Sequence, residues 1–567
     1  MATCMNCWAA PAGDDTEQGA SCRTVPSLIG LADAEEPMCT FDCDVDVMDR
    51  EPMKENPDIF GGELHGAQFA TESLMVRREP RGRLSRLEQN AQLAFDDEIA
   101  RAVPLAHTLR WVGYLWRLNP NKMSQDQLLK LWQYSKKASS FDAFVSHAWS
   151  TPGYQKLISL LLRFYWHYAV VAAIAASLVI MFMYRLDILP MTLWFVSQDA
   201  LFPRTIPCGP WGALFVFVVS ISALLCAPLL PCPAFDIFYD VTCIHQTDPE
   251  MRERGMYGIG GYLTASKELR VLWSLPYLTR LWCIFELAGF RRANPKGKIV
   301  FQPLPVERNF CVLWICMYLT FCIYHFMNTG SARRLFVIST LIGICALIPS
   351  IHVTRRGFQE QERSLQDMAN FDLELVSCSS GFDKQFIAVA VSQWYGSTHA
   401  FTQYVRGPLR DELVLAVAET QAPMSYCLLA CSPGAGLQAD ILGALWLAGA
   451  PGEMILAHVL GQVLSSFLLN TALLKILFIL TRHYARPRFA SRTMDYMQTV
   501  GVSLLFLMLV AVSFLRIVVY YTFGVPGAVA FLVTMIIFIA TFFRDLKQLW
   551  DQLRRGVLDR GLEGQSP

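Results

Sequence analysis

Eight stretches of this chain hold no more than one charged side chain each. A helix that crosses a bilayer needs about 20 such residues, with a range of about 17–25. Residues 164–184 carry no charge and are bracketed by Arg163 and Arg185; residues 211–230 form a second run. Runs at 310–327 and 335–351 are joined by a short loop, and 454–480 is broken only by Lys475. Residues 500–521 contain Arg516, and 526–543 follow a tight turn at Gly524-Val-Pro526. The stretch 426–450 is weaker, with Pro433, Gly434, Gly436 and Asp440, and reads as a span or a re-entrant segment. Overall composition agrees: 53% of the 567 residues are apolar and 17% are charged, against roughly 45–50% and 25% for soluble domains.

Topology can be checked against charge. The polar segments 110–157, 233–308 and 353–422 are separated by pairs of spans, so all three lie on one side. The basic run from Arg482 to Arg488 and the tail 544–555 want the cytosol by the positive-inside rule. This arrangement predicts eight spans in four hairpins and both termini in the cytosol; Arg204, Arg333 and Arg334 on the far side run against it. The acidic N-terminus lacks an apolar h-region, so no cleaved signal peptide is expected. A net charge of zero gives no reason to expect a nucleic-acid partner. The expected partner is the lipid bilayer.

Of the 17 cysteines, many sit inside apolar runs, among them Cys226, Cys311, Cys316, Cys322 and Cys345, where they read as small hydrophobes. Residues 1–95 have the composition of a disordered cytosolic tail. Cys4 and Cys7, with Cys39 and Cys43, have irregular spacing and no nearby histidine, so no metal site is expected. The remaining expected boundaries are a helical lead-in and first strand at 96–157, a membrane hairpin at 158–232, the main α/β part at 233–308, and a second hairpin at 309–352. A cytosolic segment follows at 353–422, then three or four membrane helices at 423–543 and a cytosolic tail at 544–567.

The cytosolic segments carry short, apolar, β-prone runs at 141–146, 235–240, 268–274 and 298–302, with a further candidate strand at 372–377. A helix is expected at 277–293, stopped by Asn294-Pro295. Alternation of strand and helix predicts an open parallel sheet whose ligands bind beyond the carboxyl ends of the strands. Those ends are Ser146, His147 and Trp149, then Asp240 to Cys243, then Ser274. The glycine-rich stretch Gly255 to Gly261 fits no phosphate-binding spacing and reads as a flexible loop. His147 and His245 near strand ends read first as structural hydrogen-bonders and second as acid–base groups.

Phe141-Asp-Ala-Phe-Val-Ser-His147 resembles the opening strand of Toll/interleukin-receptor homology (TIR) domains. Tyr262-Leu-Thr-Ala-Ser-Lys-Glu-Leu-Arg-Val-Leu-Trp-Ser274 is similar to the family's helix and following strand. The segment from Tyr277 through Trp282-Cys283 to Glu286-Leu287 is similar to its next segment. The resemblance covers about a fifth to a quarter of the chain and departs from the family where membrane hairpins interrupt the domain. It implies an α/β flavodoxin-like (TIR-like) cytosolic domain interrupted by transmembrane helical hairpins, in a multi-pass α-helical membrane protein. It further implies signalling or stress response, with either cleavage of NAD as substrate or self-association of a non-enzymatic scaffold. No bound cofactor is expected. The Trp282-x-x-x-Glu286 pair matches the family pattern that carries a catalytic glutamate. Glu286 is therefore the expected catalytic residue, with Trp282, Ser146, His147, Trp149, Asp240 and Ser274 as substrate-binding residues. The competing reading makes Glu286 a surface carboxylate paired with Arg280 or Arg291 and Trp282 a core residue. Asp440, Lys475 and Arg516 within the spans leave a third class, a transporter or channel with a regulatory α/β domain.

Overall fold

The computed structural model describes residues 95–563 apart from 119, 198–201, 232, 329–335, 377–380 and 420–422. The expected tail and its cysteine pairs lie outside the described residues. So does the far-side loop with Arg333 and Arg334.

One mixed sheet contains β1 (Arg101–Pro104), β2 (Lys136–Lys137), β3 (Phe141–His147), β6 (Asp236–Phe238), β7 (Ser266–Trp273) and β8 (Lys298–Pro303). Its spatial order is β2-β1-β6-β3-β7-β8. A separate hairpin pairs β4 (Leu193–Val196) with β5 (Thr205–Cys208). Strands β6, β3, β7 and β8 are parallel, and β1 is antiparallel to both β6 and β2. Strand β3 is buried almost throughout. It therefore reads as a near-continuous apolar run, as a strand covered on both faces must. Phe141, Phe144 and Tyr262 gather around Phe238, with Phe144 stacked on it at 4.8 Å.

All four expected parallel strands form. The fifth, at 372–377, does not: residues 373–376 are turn and bend, and Leu375 is 85% exposed. Asp372 accepts from the Glu374 N–H and closes a local turn instead. The helix Arg410–Glu419 packs against β8. Strand β1 was expected as helix; its four residues are too short to show a period. The glycine-rich stretch is not a loop but two short helices, Pro249–Tyr257 and Ile259–Thr264. Asp248 caps the first of these by accepting from the N–H groups of Glu250 and Met251, and Pro249 occupies its first turn.

Six helices among the described residues are long and apolar enough to cross a membrane: Gly153–Arg185, Trp211–Leu229, Leu304–Met327, Met424–Leu447, Gly452–His483 and Arg492–Arg544. This set fits a multi-pass membrane protein. Met424–Leu447, the weak stretch, is helical and is the least apolar and most deeply buried of the six. The run at 335–351 lies in the helix Phe336–Asp367, whose side chains over 336–344 lie outside the described residues.

Arg492–Arg544 folds back on itself. Gly524 takes φ +55°, a conformation that favours glycine. Arg516, before it, reaches the carbonyls of Gly461 and Gln462. Ala528, after it, also faces Gly461, while Phe543 lies under the Lys475 ammonium at 5.9 Å. The chain thus runs down the neighbouring helix and returns along it, as the Gly524-Val-Pro526 turn predicts.

Candidate active site at the switch in strand order

The four parallel strands appear in the sheet as second, first, third, fourth in chain order. The chain leaves β3 to one side for β6, then crosses to β7 on the other. At such a reversal the connections diverge and leave a crevice beyond the carboxyl ends of the two strands. Ser146 and His147 close β3, and Ser274 follows β7.

Glu286 reaches the carboxyl end of β3 from the helix Leu281–Ala293. The Ser146 hydroxyl donates to Glu286 Oε2, and Ser146 Oγ lies 2.5 Å from the Tyr277 hydroxyl. Tyr277 also approaches the Cys283 carbonyl at 3.4 Å. This chain of hydroxyls accommodates both forms of the acid. With Glu286 ionised, Tyr277 donates to Ser146 and Ser146 to the carboxylate. With Glu286 protonated, the order reverses and the Tyr277 proton turns to the Cys283 carbonyl. Burial pushes the Glu286 carboxyl up to about 8, against the Ser146 hydrogen bond, which favours the charged form; the nearby Asp240 charge adds to the rise. The bland pairing does not occur at Arg291, whose guanidinium goes to Glu412 and to the carbonyls of Pro295 and Gly297.

Asp240 stands at the carboxyl end of β6. Trp149 donates from Nε1 to its Oδ2 at 2.5 Å, and the Val241 N–H donates to Oδ1. Burial raises the Asp240 carboxyl, while Trp149, Val241 and the Lys156 ammonium pull it back. Trp149 itself is 43% exposed and forms the open rim. His147 is buried, edge-on to Trp116, with Nε2 3.9 Å from Asp240 Oδ1. Burial, with Lys156 nearby, holds its pKa well below the usual histidine value, so the ring is neutral and this contact is not an ion pair. Ser274 shares a hydrogen bond with Thr151, 2.5 Å between hydroxyls, and does not bond Glu286.

Of the seven expected residues, Glu286 and Ser146 meet directly. Asp240, Trp149 and His147 form the adjoining wall, and Ser274 pairs with Thr151 instead. Trp282 turns elsewhere. Its ring packs on Phe285 and stacks on Phe386 at 6.0 Å, and its Nε1 points to Asp383 at 3.4 Å. Phe285 stacks on Trp394, and a side chain at Gly289 would touch Trp394 as well. Residues 282, 285 and 289 thus form a stripe at helical spacing that belongs to the helix Gly381–Tyr395, while Cys283 and Glu286 face the strands. His245 is also structural: its ring lies against Trp132, and Nδ1 accepts from the Asp248 N–H.

Sequence reasoning missed Lys156 and Tyr277 as parts of the site. Lys156 is 3% exposed and opens the helix Gly153–Arg185. A lysine at the first turn of an apolar run reads as an interface residue, and nothing in its spacing points to Asp240. Beyond Ser274, the loop residues Leu275, Leu278 and Thr279 border a cavity of about 550 Å³ closed by Glu360, Arg363 and Phe371 among others; Glu286 is not in its lining. No group of three or more His, Cys, Asp or Glu side chains suited to a metal occurs among the described residues.

The intramembrane charges do not converge. Asp440 accepts from Tyr184, Gly212 and Ala213, Arg516 reaches Gly461 and Gln462, and Lys475 lies over Phe543. No protein-family model matches the chain, and neither does any curated protein or solved structure.

Proposed function

We propose that this is a multi-pass membrane protein whose sheet domain is TIR-like, of flavodoxin type, faces the cytosol with both termini, and cleaves NAD at the bond between nicotinamide and ribose. The observation that carries the reading is the meeting of Ser146 and Glu286 across the switch between β3 and β7. The second-first-third-fourth order of the parallel strands supports a flavodoxin-type domain. The role suggested is signalling or stress response.

The chemistry follows from Glu286. Cleavage of an N-glycosidic bond passes through an oxocarbenium-like state, which a carboxylate beside the ribose stabilises. Nicotinamide leaves as a neutral molecule, taking the bonding pair. Water takes its place on the ribose carbon, and the released proton passes to Glu286 or to solvent. The free protein holds Glu286 largely protonated at neutral pH. A bound ring with a positive charge favours ionisation of Glu286, so substrate arrival arms the group that acts on it. The exposed face of Trp149 stacks the ring, a task that Trp282 cannot share from beneath Phe386. Asp240 accepts from ribose hydroxyls.

The burial of Trp282 also favours a second reading, a TIR-like scaffold that self-associates without catalysis. NAD consumption by the detergent-purified full-length protein, beside Glu286→Ala, separates them. Turnover that vanishes in the variant supports the enzyme. Absence of turnover in both, with folded protein and oligomerisation promoted, leaves the scaffold.

A further inference from the structure

The helix Leu105–Arg117, which follows β1, is broken by an unusual backbone turn. Trp111, Val112 and Gly113 take φ of +55°, +54° and +62° in succession. Glycine tolerates this conformation, but a β-branched residue there is a genuine outlier. The turn throws three side chains outward: Trp111 is 78% exposed, Val112 51% and Tyr114 51%. Such strain persists only where the surroundings over-determine it, and it gathers at functional positions.

The surroundings are the ends of two apolar helices. A side chain on Gly113 would run into Leu157, in the first turns of Gly153–Arg185. Arg110 donates from Nε to the carbonyl of Pro228, at the last turn of Trp211–Leu229. Leu229 and Leu230 beside it are themselves 51% and 48% exposed. Arg117 donates to the Trp111 carbonyl and is exposed, so a guanidinium sits beside the turn. Aromatic rings with a polar handle, next to arginines at the ends of spans, are what the headgroup layer of a bilayer accommodates.

We infer that the Trp111-Val112-Gly113-Tyr114 turn is a membrane-interface wedge, which dips its side chains into the headgroup layer beside the entry of the first hairpin. The occupant of this apolar face is the same bilayer that the spans cross, because the patch is continuous with their exposed ends; this clause rests on the multi-pass reading and not on NAD cleavage. The wedge ties the helical lead-in, and through β1 the antiparallel side of the sheet, to the membrane surface at a point separate from the spans.

The test uses full-length protein in nanodiscs of phosphatidylcholine and phosphatidylserine, with ordinary or dibrominated acyl chains. The chain has 14 tryptophans, so Trp111 is read as the difference between wild type and Trp111→Phe, a change at an exposed site that leaves the core alone. Brominated chains are expected to remove at least half of that difference, while aqueous acrylamide removes little. Val112→Asp, which is costly to place among lipids, should reverse the pattern and expose Trp111 to acrylamide. A difference signal quenched by acrylamide and untouched by bromine in wild type overturns the proposal. So does a signal quenched by neither, which would mean that protein covers the turn.

Discussion

Glu286 and Asp440 are both carboxylates withdrawn from bulk water, and their surroundings differ in kind. Asp440 accepts from the Tyr184 hydroxyl at 2.7 Å and from the N–H groups of Gly212 and Ala213 at 2.7 and 2.8 Å, with His325 Nε2 3.4 Å away. It is fully buried and caps the start of the helix Trp211–Cys226 from a neighbouring helix. A side chain on Gly212 would collide with the Gly436 carbonyl, which shows how closely these two helices approach. Among the described residues Glu286 has a single side-chain donor, Ser146, and it remains half-buried. A carboxylate that accepts three hydrogen bonds, two of them from the first turn of a helix, holds structure together. One with lone pairs to spare, at the carboxyl ends of parallel strands, is available for chemistry.

The largest expected effect breaks this contrast or confirms it. Glu286→Gln should lower NAD turnover about 1,000-fold, roughly 4 kcal/mol of transition-state stabilisation, with the thermal midpoint held or raised. Turnover that persists would place Glu286 with Asp440 among the structural acids. The converse substitution comes next. Asp440→Ala strands two backbone N–H groups and the Tyr184 hydroxyl, and should cost about 3–5 kcal/mol of stability. Thermal unfolding in detergent reads this, and NAD turnover per folded molecule should not change.

The pH profile sharpens the comparison. The carboxyl of Glu286 is raised to about 8, and the proposed reaction uses its ionised form. In the free protein kcat/KM should therefore climb about tenfold per pH unit below 7 and level off above about 8. Ser146→Ala removes the hydrogen bond that favours ionisation, so the rise should move to higher pH. A flat profile would mean that another group limits the reaction. The smallest effect belongs to the misplaced indole. Trp282→Phe should cost about 1 kcal/mol of stability through lost area and the lost bond to Asp383, and leave KM for NAD alone, whereas Trp149→Ala should raise that KM several-fold. A KM shift in the Trp282 variant would return that ring to the site.

Much of this was legible in the sequence because the residues concerned obey short-range rules. Strands β3, β6, β7 and β8 announce themselves as apolar, β-branched or aromatic runs. The turn at Gly524 is written in its glycine and the proline after it. The misreadings have physical causes of the opposite kind. Residues 372–377 have the composition of a strand, but a strand exists only with a partner beside it, and Asp372 closed a turn first. Gly255 to Gly261 looked like a loop because glycine is a poor helix former, yet the Asp248-Pro249 start signal outweighed it. The helical period places Trp282 near Glu286, and the choice of face was made by Phe386 and Trp394, about a hundred residues later in the chain. The Lys156 amine was invisible for the same reason: its neighbourhood with Asp240 is set by a membrane helix and a sheet folding against each other.

The helix Gly153–Arg185 begins six residues after β3 ends, and β3 and β6 are neighbours in the sheet although a whole apolar hairpin lies between them in the chain. In a protein that crosses the bilayer, this ordering dictates a biogenesis. The central strand β3 leaves the ribosome before either of its neighbours and must wait, unpaired, while the hairpin is handed to the insertion machinery. Only then does the first of its two neighbours arrive. Failed insertion of that one hairpin would therefore leave an orphaned apolar strand, a form that quality control can recognise well before the sheet is complete.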